Sequence, residues 1–74
     1  EYAILNVAAL NAFEDGAVVD LEAVKKAGLV KKGCDGLKVL GNGALQKNIT
    51  VKAAAFSEAA KAKIEAAGGK AEVI

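Results

Sequence analysis

The closing stretch of the chain, residues 49–74, constrains the fold more than any other feature. It begins with alternating apolar and polar residues, Ile49 to Ala53, which is the pattern of a half-buried strand. Ser57 follows, and its hydroxyl can accept a free backbone N–H group and so begin a helix. Gly68 and Gly69 are predicted to end that helix, because glycine reaches the left-handed conformation of a C-terminal cap at no steric cost. Alternation then resumes, so the stretch predicts a strand, a helix and a strand.

Two earlier segments have the same arrangement of a polar cap followed by apolar residues. Asn6 is predicted to cap a helix over Val7 to Ala12, and Asp20 to cap a helix over Leu21 to Ala27. In both segments the residue before the cap has the spacing of a hydrophobic staple with a residue inside the helix. Gly28 is predicted to end the second of these helices, with the next residue packing back as in a Schellman motif.

Short apolar runs predict the remaining strands. Tyr2 to Leu5 and Leu37 to Leu40 are strand candidates, and the glycines Gly41 and Gly43 around Asn42 indicate a turn after the second run. The sequence has no proline and no low-complexity linker, so residues 1–74 are predicted to form one domain. Three helices and about four short strands that alternate along the chain favour a mixed α/β layer arrangement.

Composition and charge exclude several classes of protein. The 74 residues have a formal net charge of +1, and all ten basic residues are lysine. Without arginine the chain lacks the planar fork that binds phosphate or guanine in a bidentate manner, although lysine can still neutralise phosphate as a point charge. No apolar run is long enough to cross a membrane, and no signal-peptide pattern is present at the start.

No set of residues has the pattern of a catalytic or metal site. Cys34 is the single cysteine, and the sequence has no histidine to activate it or to complete a metal site. Because neighbouring lysines can lower the pKa of a thiol, a reactive cysteine is an open alternative, but a structurally neutral loop cysteine is favoured. A lone thiol also fits a reducing cytosol.

Gly41 and Gly43 lack the further residues of a nucleotide-binding loop. Glu58, Lys61 and Glu65 have the spacing of surface ion pairs on one helix face. We therefore expect no catalytic residue, no metal and no cofactor.

The lysines are the remaining candidates for function. Each of them can contact a nucleic-acid phosphate, and each can equally be a solvated surface side chain. The sequence pattern does not show that they share one face. The candidates for RNA contact are Lys31, Lys32, Lys38, Lys47, Lys52, Lys61 and Lys63.

Four sequence blocks carry a family resemblance. They are LNAFEDG at Leu10 to Gly16, GLKVLGNG at Gly36 to Gly43, ITVKA at Ile49 to Ala53 and IEAAGGK at Ile64 to Lys70. With these blocks the chain closely resembles the C-terminal globular part of the bacterial large-subunit ribosomal protein L-fifteen family. The resemblance spans nearly all of the residues, and the last two blocks together are its most specific part.

The resemblance implies a fold and a function. Members of the family are structural constituents of the large ribosomal subunit in the cytoplasm. They bind large-subunit ribosomal RNA beside neighbouring ribosomal proteins. They have no catalytic activity, bind no small-molecule substrate and do not associate with a membrane. Their globular part is an irregular superhelix of strand-strand-helix turns. They also have a basic, glycine-rich N-terminal extension that is absent here. The resemblance therefore implies that this chain is the C-terminal part of a longer protein and that this part alone binds RNA weakly.

Two other classes of function are open alternatives. The chain can be a protein–protein interaction module that does not depend on RNA, or a small enzyme. The enzyme is the weakest of the three hypotheses, because no nucleophile–base pair is available.

Overall fold

Three helices and six strands make up the fold, in a computed structural model that describes all residues 1–74. This is a mixed α/β fold, as the sequence predicts. In chain order the elements are β1 (Tyr2–Asn6), a 3-10 helix (Val7–Ala12), β2 (Val18–Val19), α1 (Leu21–Lys26), β3 (Gly36–Leu40), β4 (Thr50–Ala53), β5 (Ala55–Phe56), α2 (Glu58–Ala66) and β6 (Lys70–Val73).

The strands form two three-stranded sheets in which every pairing is parallel. The strand order is β1-β3-β5 in the first sheet and β2-β4-β6 in the second. Successive strands therefore belong to alternate sheets. Parallel strands cannot be joined by a tight hairpin, so each pair needs a crossover connection, and the helices and the irregular segment 41–49 supply it.

The prediction of about four strands was wrong, because the structure has six. The two additional strands are β2 and β5, and each of them is two residues long. Alternation of apolar and polar residues needs about four positions before it becomes a signal, so strands of this length leave none in the sequence.

The core contains only apolar side chains and a thiol. Fourteen residues are buried, and no polar or charged residue is among them. The alternation predicted for the strands is confirmed in β3 and β4, where Leu37, Val39, Val51 and Ala53 are at most 1% exposed, but not in β6, where Val73 is 71% exposed. Both sheets and all three helices contribute to this one cluster. Its largest fully buried side chains are Leu10, Leu37, Ile49, Ile64, Val7, Val19, Val24, Val39 and Val51.

The first predicted helix exists, but its predicted cap is wrong. Residues Val7–Ala12 form a 3-10 helix, and the side chain of Asn6 makes no capping hydrogen bond. One of the two N–H groups that such a cap can bind, that of Ala8, instead donates to the carbonyl oxygen of Asn42 at 3.4 Å. Oδ1 of Asn6 is buried and has no hydrogen-bond partner. A backbone group from a distant segment has therefore replaced the local cap.

The caps predicted for the other two helices are confirmed. Oδ1 of Asp20 accepts a hydrogen bond from the Ala23 N–H at 2.9 Å, and Oγ of Ser57 accepts one from the Ala60 N–H at 3.1 Å. Each bond satisfies a backbone donor that has no partner within the helix. Both helices therefore begin at the predicted residue.

The C-terminal ends of these two helices are Schellman motifs. Gly28 and Gly68 have φ angles of +77° and +90°, in the left-handed region, as predicted. The N–H of Leu29 bonds to the carbonyl of Val24 at 3.0 Å, and the N–H of Gly69 bonds to the carbonyl of Ile64 at 3.0 Å. These bonds from the second residue after the C-cap, which is Ala27 in α1 and Ala67 in α2, define the motif.

Gly69 has a different role from the one predicted. Its φ angle is not positive, so the left-handed conformation does not require glycine at this position. A side chain at residue 69 would instead overlap the carbonyl oxygen of Ile49, the residue immediately before β4. Glycine is needed here because the end of α2 lies directly against the second sheet.

Candidate nucleic-acid interface

The seven lysines predicted from the sequence as RNA contacts are distributed over five parts of the fold. All of them are exposed except Lys47 and Lys52, which are half-buried. Lys31 and Lys32 lie in the loop after α1, Lys38 on β3, Lys47 in the irregular segment before β4, Lys52 on β4, and Lys61 and Lys63 on α2.

Lys63 contacts the backbone of its own chain. Its Nζ atom donates to the carbonyl oxygens of Gly41 and Gly43, at 2.6 Å in each case. These two glycines were predicted as a turn, and the structure places them where other chain segments pass closely. A side chain at Gly41 would lie 2.6 Å from the Cβ of Ala59, and one at Gly43 would lie 2.5 Å from the Cβ of Ala8. Lys63 therefore fixes a loop that is packed against α2 and the 3-10 helix.

Two polar side chains that sequence reasoning missed hold the rest of this loop. Asn11 Nδ2 donates to the carbonyl of Ala44 at 2.9 Å, and Asn11 Oδ1 accepts from the Gln46 N–H at 2.8 Å. Asp15 Oδ1 accepts from the Asn48 N–H at 2.8 Å. The partners are more than 30 positions apart in the chain, so no local spacing could have revealed them.

One group of lysines is brought together by the fold. Lys25, Lys26 and Lys32 line the same shallow pocket with Glu22, and no hydrophobic residue lines it. The candidates predicted from the sequence include Lys32 but not Lys25 or Lys26, which lie in the last turn of α1. The signal that sequence reasoning passed over was the density of lysine around the end of α1. We call these three lysines the α1 lysine cluster.

The outward face of the first sheet combines apolar side chains with a single lysine. Tyr2 and Ile4 are 55% and 61% exposed, and Ile4 is in register with Lys38 on the neighbouring strand. The ring of Tyr2 lies over Gly36, where an added Cβ would be 3.3 Å from Cε1. Lys38 is therefore separate from the α1 lysine cluster and lies among exposed apolar groups.

The structure contains one ion pair, between the amino group of Glu1 and the carboxylate of Asp35, at 2.9 Å. The hydrogen bond and the charge of the ammonium group lower the pKa of Asp35 below its ordinary value of 3.8. The same two effects raise the pKa of the amino group above 8.0. Both groups are solvated, so the pair adds little to stability, and it forms only where Glu1 has a free amino group. The ion pairs that the spacing of Glu58, Lys61 and Glu65 allows are not formed.

The structure adds three observations on other kinds of site. Cys34 is a free thiol buried in the core cluster. No group of three or more histidine, cysteine, aspartate or glutamate residues is placed to hold a metal ion. None of the helices has both the length and the apolar character to span a bilayer.

Comparison with known proteins connects this fold to a family. A family model described as ribosomal proteins 50S-L15, 50S-L18e and 60S-L27A matches residues 4–72. The chain is also 64% identical, over 74 residues, to a protein named large ribosomal subunit protein uL15 in two strains of Lactobacillus delbrueckii subsp. bulgaricus. The match covers 100% of this chain and 51% of each relative, so the chain spans about half the length of the curated relatives it matches. The resemblance predicted from the sequence is confirmed, and the chain belongs to the family of the ribosomal proteins 50S-L15, 50S-L18e and 60S-L27A.

Proposed function

We propose that this chain is a structural constituent of the large ribosomal subunit, in the cytoplasm, that helps to bind and organise large-subunit ribosomal RNA. The observation that carries the proposal is the 64% identity with large ribosomal subunit protein uL15 over the full length of the chain. Neighbouring ribosomal proteins are its other proposed partners. The proposed role is structural and involves no chemical reaction, no cofactor and no small-molecule substrate.

The proposal includes the place of the chain in a longer protein. Residues 1–74 act as one folded domain, the C-terminal part of a protein whose basic N-terminal extension supplies most of the RNA binding. Two observations support this reading. The relatives are about twice as long as the chain, and one core cluster joins both of its sheets.

We further propose that the domain is an irregular superhelix of strand-strand-helix turns. Its support is the order of the strands, since successive strands alternate between two parallel sheets. After each strand the chain crosses to the other sheet, and when it returns it adds the next strand beside the previous one. The chain therefore winds in one direction along both sheets. The helices occupy only some of the turns, which makes the winding irregular.

The function is tested by assembly into ribosomes. The matching half of the Lactobacillus uL15 protein is replaced by this chain, and the tagged hybrid is followed through a sucrose gradient of cell extract. We expect the hybrid to sediment with large subunits and to remain with them after a moderate salt wash. The unmodified tagged relative is the control. A hybrid that stays at the top of the gradient while the control sediments with large subunits contradicts the proposal.

A protein–protein interaction module that is independent of RNA is the second candidate. The exposed Tyr2 and Ile4 on the first sheet favour it, because apolar side chains grouped on one face are typical of interaction surfaces. Ribonuclease treatment separates the two functions. The ribosomal proposal expects ribonuclease to release the hybrid from its partners. Partners that stay bound after complete RNA digestion support the second candidate.

A further inference from the structure

Positive charge is concentrated in one short segment of this nearly neutral chain. Residues 23–34 contain four lysines and no acidic residue, whereas all other residues together contain six lysines and nine acidic residues. The segment therefore carries +4 and the remainder −3, which gives the formal net charge of +1. The overall charge therefore conceals a basic segment in an otherwise acidic chain.

The fold arranges three of these four lysines around one pocket. Lys25 and Lys26 lie in the last turn of α1, and the chain reversal at Gly28 returns the following loop so that Lys32 lines the same pocket. The Asp20 cap and the Schellman motif fix both ends of the short helix. Glu22 is the only acidic residue of the lining, so the lining carries a net charge of +2.

The chemistry of this lining selects phosphate over other parts of a nucleic acid. A lysine ammonium group neutralises phosphate oxygens as a point charge, and such contacts are independent of base sequence. Base stacking needs an aromatic or guanidinium plane, and the pocket contains neither. The absence of any hydrophobic lining residue also disfavours an apolar ligand.

We propose that the α1 lysine cluster, Lys25, Lys26 and Lys32, is the site at which this domain binds backbone phosphates of ribosomal RNA. The inference rests on the proposed function, and it assigns the RNA contacts of this domain to one surface. The exposed lysines outside residues 23–34 belong to the part of the chain with a net negative charge and contribute little to RNA affinity. Lys63, which binds two backbone carbonyls, has a structural role instead.

The test compares two triple variants that have the same net charge. In the cluster variant Lys25, Lys26 and Lys32 are replaced by Gln. In the control variant the exposed lysines Lys38, Lys61 and Lys70 are replaced by Gln. Both variants change the formal charge from +1 to −2. Binding of each to purified large-subunit ribosomal RNA is measured as a function of KCl concentration, and thermal melts check that both variants fold.

Counterion release predicts the result. Each phosphate contact contributes about 0.7 to 0.9 to the slope of log K against log salt concentration. We expect the cluster variant to lose about 2 from the magnitude of this slope and to bind at least about tenfold more weakly at low salt, since three contacts are removed. We expect the control variant to keep the parental slope.

The remaining outcomes separate this inference from the proposed function. Equal losses in the two triple variants, or a parental slope in the cluster variant, overturn the phosphate site while the ribosomal role stands. If the parental chain does not bind the RNA at any salt concentration, the phosphate site is overturned. Sedimentation of the hybrid protein then decides the ribosomal role independently.

Discussion

The C-terminal ends of α1 and α2 have the same local structure and different surroundings. Both are Schellman motifs in which a glycine with positive φ follows the helix. At Gly28 an added Cβ would meet no atom within 4 Å. At Gly68 it would lie 3.2 Å from Nδ2 of Asn48, and at Gly69 it would overlap the carbonyl of Ile49. The comparison shows that one local motif serves as a free helix end in one place and as a packed junction in the other.

Gly69→Ala has the largest expected effect, because it tests the packed junction directly. The new methyl group would enter the space of the Ile49 carbonyl, so α2 or β4 would have to move. We expect a loss of about 3 kcal/mol in the free energy of unfolding, measured by urea denaturation. Gly33→Ala is the control, since residue 33 has no positive φ and no atom within 4 Å of an added Cβ. A loss below 1 kcal/mol, on the order of a surface substitution, would mean that the junction can relax.

Gly68→Ala has the next largest effect. Alanine in the left-handed region is strained, and its Cβ would also press on the side chain of Asn48, so we expect a loss of about 1.5 kcal/mol. The same substitution in an Asn48→Ala background separates the two causes. There the cost should fall to that of strain alone, because the side chain of Asn48 is gone and its backbone bonds remain. An unchanged cost would show that the contact with Asn48 is irrelevant.

Gly28→Ala measures strain alone at the free helix end. With open space around the new methyl group, we expect a thermal melt to show a loss of about 1 kcal/mol. Gly28→Asn should cost less, because asparagine tolerates positive φ better than alanine does. Equal costs for the two substitutions would contradict an explanation from backbone conformation.

Leu29→Ala has the smallest expected effect. Leu29 follows the capping glycine Gly28, just as Gly69 follows Gly68 at the end of α2. Its side chain is 36% exposed. We expect its truncation to lower the free energy of unfolding by about 0.5 kcal/mol, because only part of the side chain leaves water on folding. A loss above about 2 kcal/mol would reveal a packing role that its exposure does not indicate.

Short-range features of this fold are predictable from the sequence. The caps at Asp20 and Ser57 and the left-handed glycines Gly28 and Gly68 depend on hydrogen bonds within a few residues, and each was predicted at the correct position. Asn6 is chemically an equally good cap, yet the carbonyl of Asn42 accepts one of the two N–H groups that it could bind. The local signal fails where a distant segment competes for the same group.

The candidate site shows the same limit. From the sequence each lysine is expected to lie at the surface. No pattern in the sequence indicates that the Nζ atom of Lys63 donates to the carbonyls of Gly41 and Gly43. Lys25 and Lys26 were not among the predicted candidates, and only the turn at Gly28 brings Lys32 beside them. Grouping of charges depends on the path of the chain between elements, which no periodicity contains.

The strand orders β1-β3-β5 and β2-β4-β6 have a consequence for synthesis of the protein. In each sheet the strands lie side by side in the order in which translation produces them. Each new strand can therefore add to an edge that is already formed, and no strand has to be inserted between two paired neighbours. A domain generally folds as a unit, so the advantage of this order is that no strand pair formed early has to reopen to admit a later strand. β6 is the last strand to be synthesised, and its pairing with β4 also brings Gly69 against Ile49.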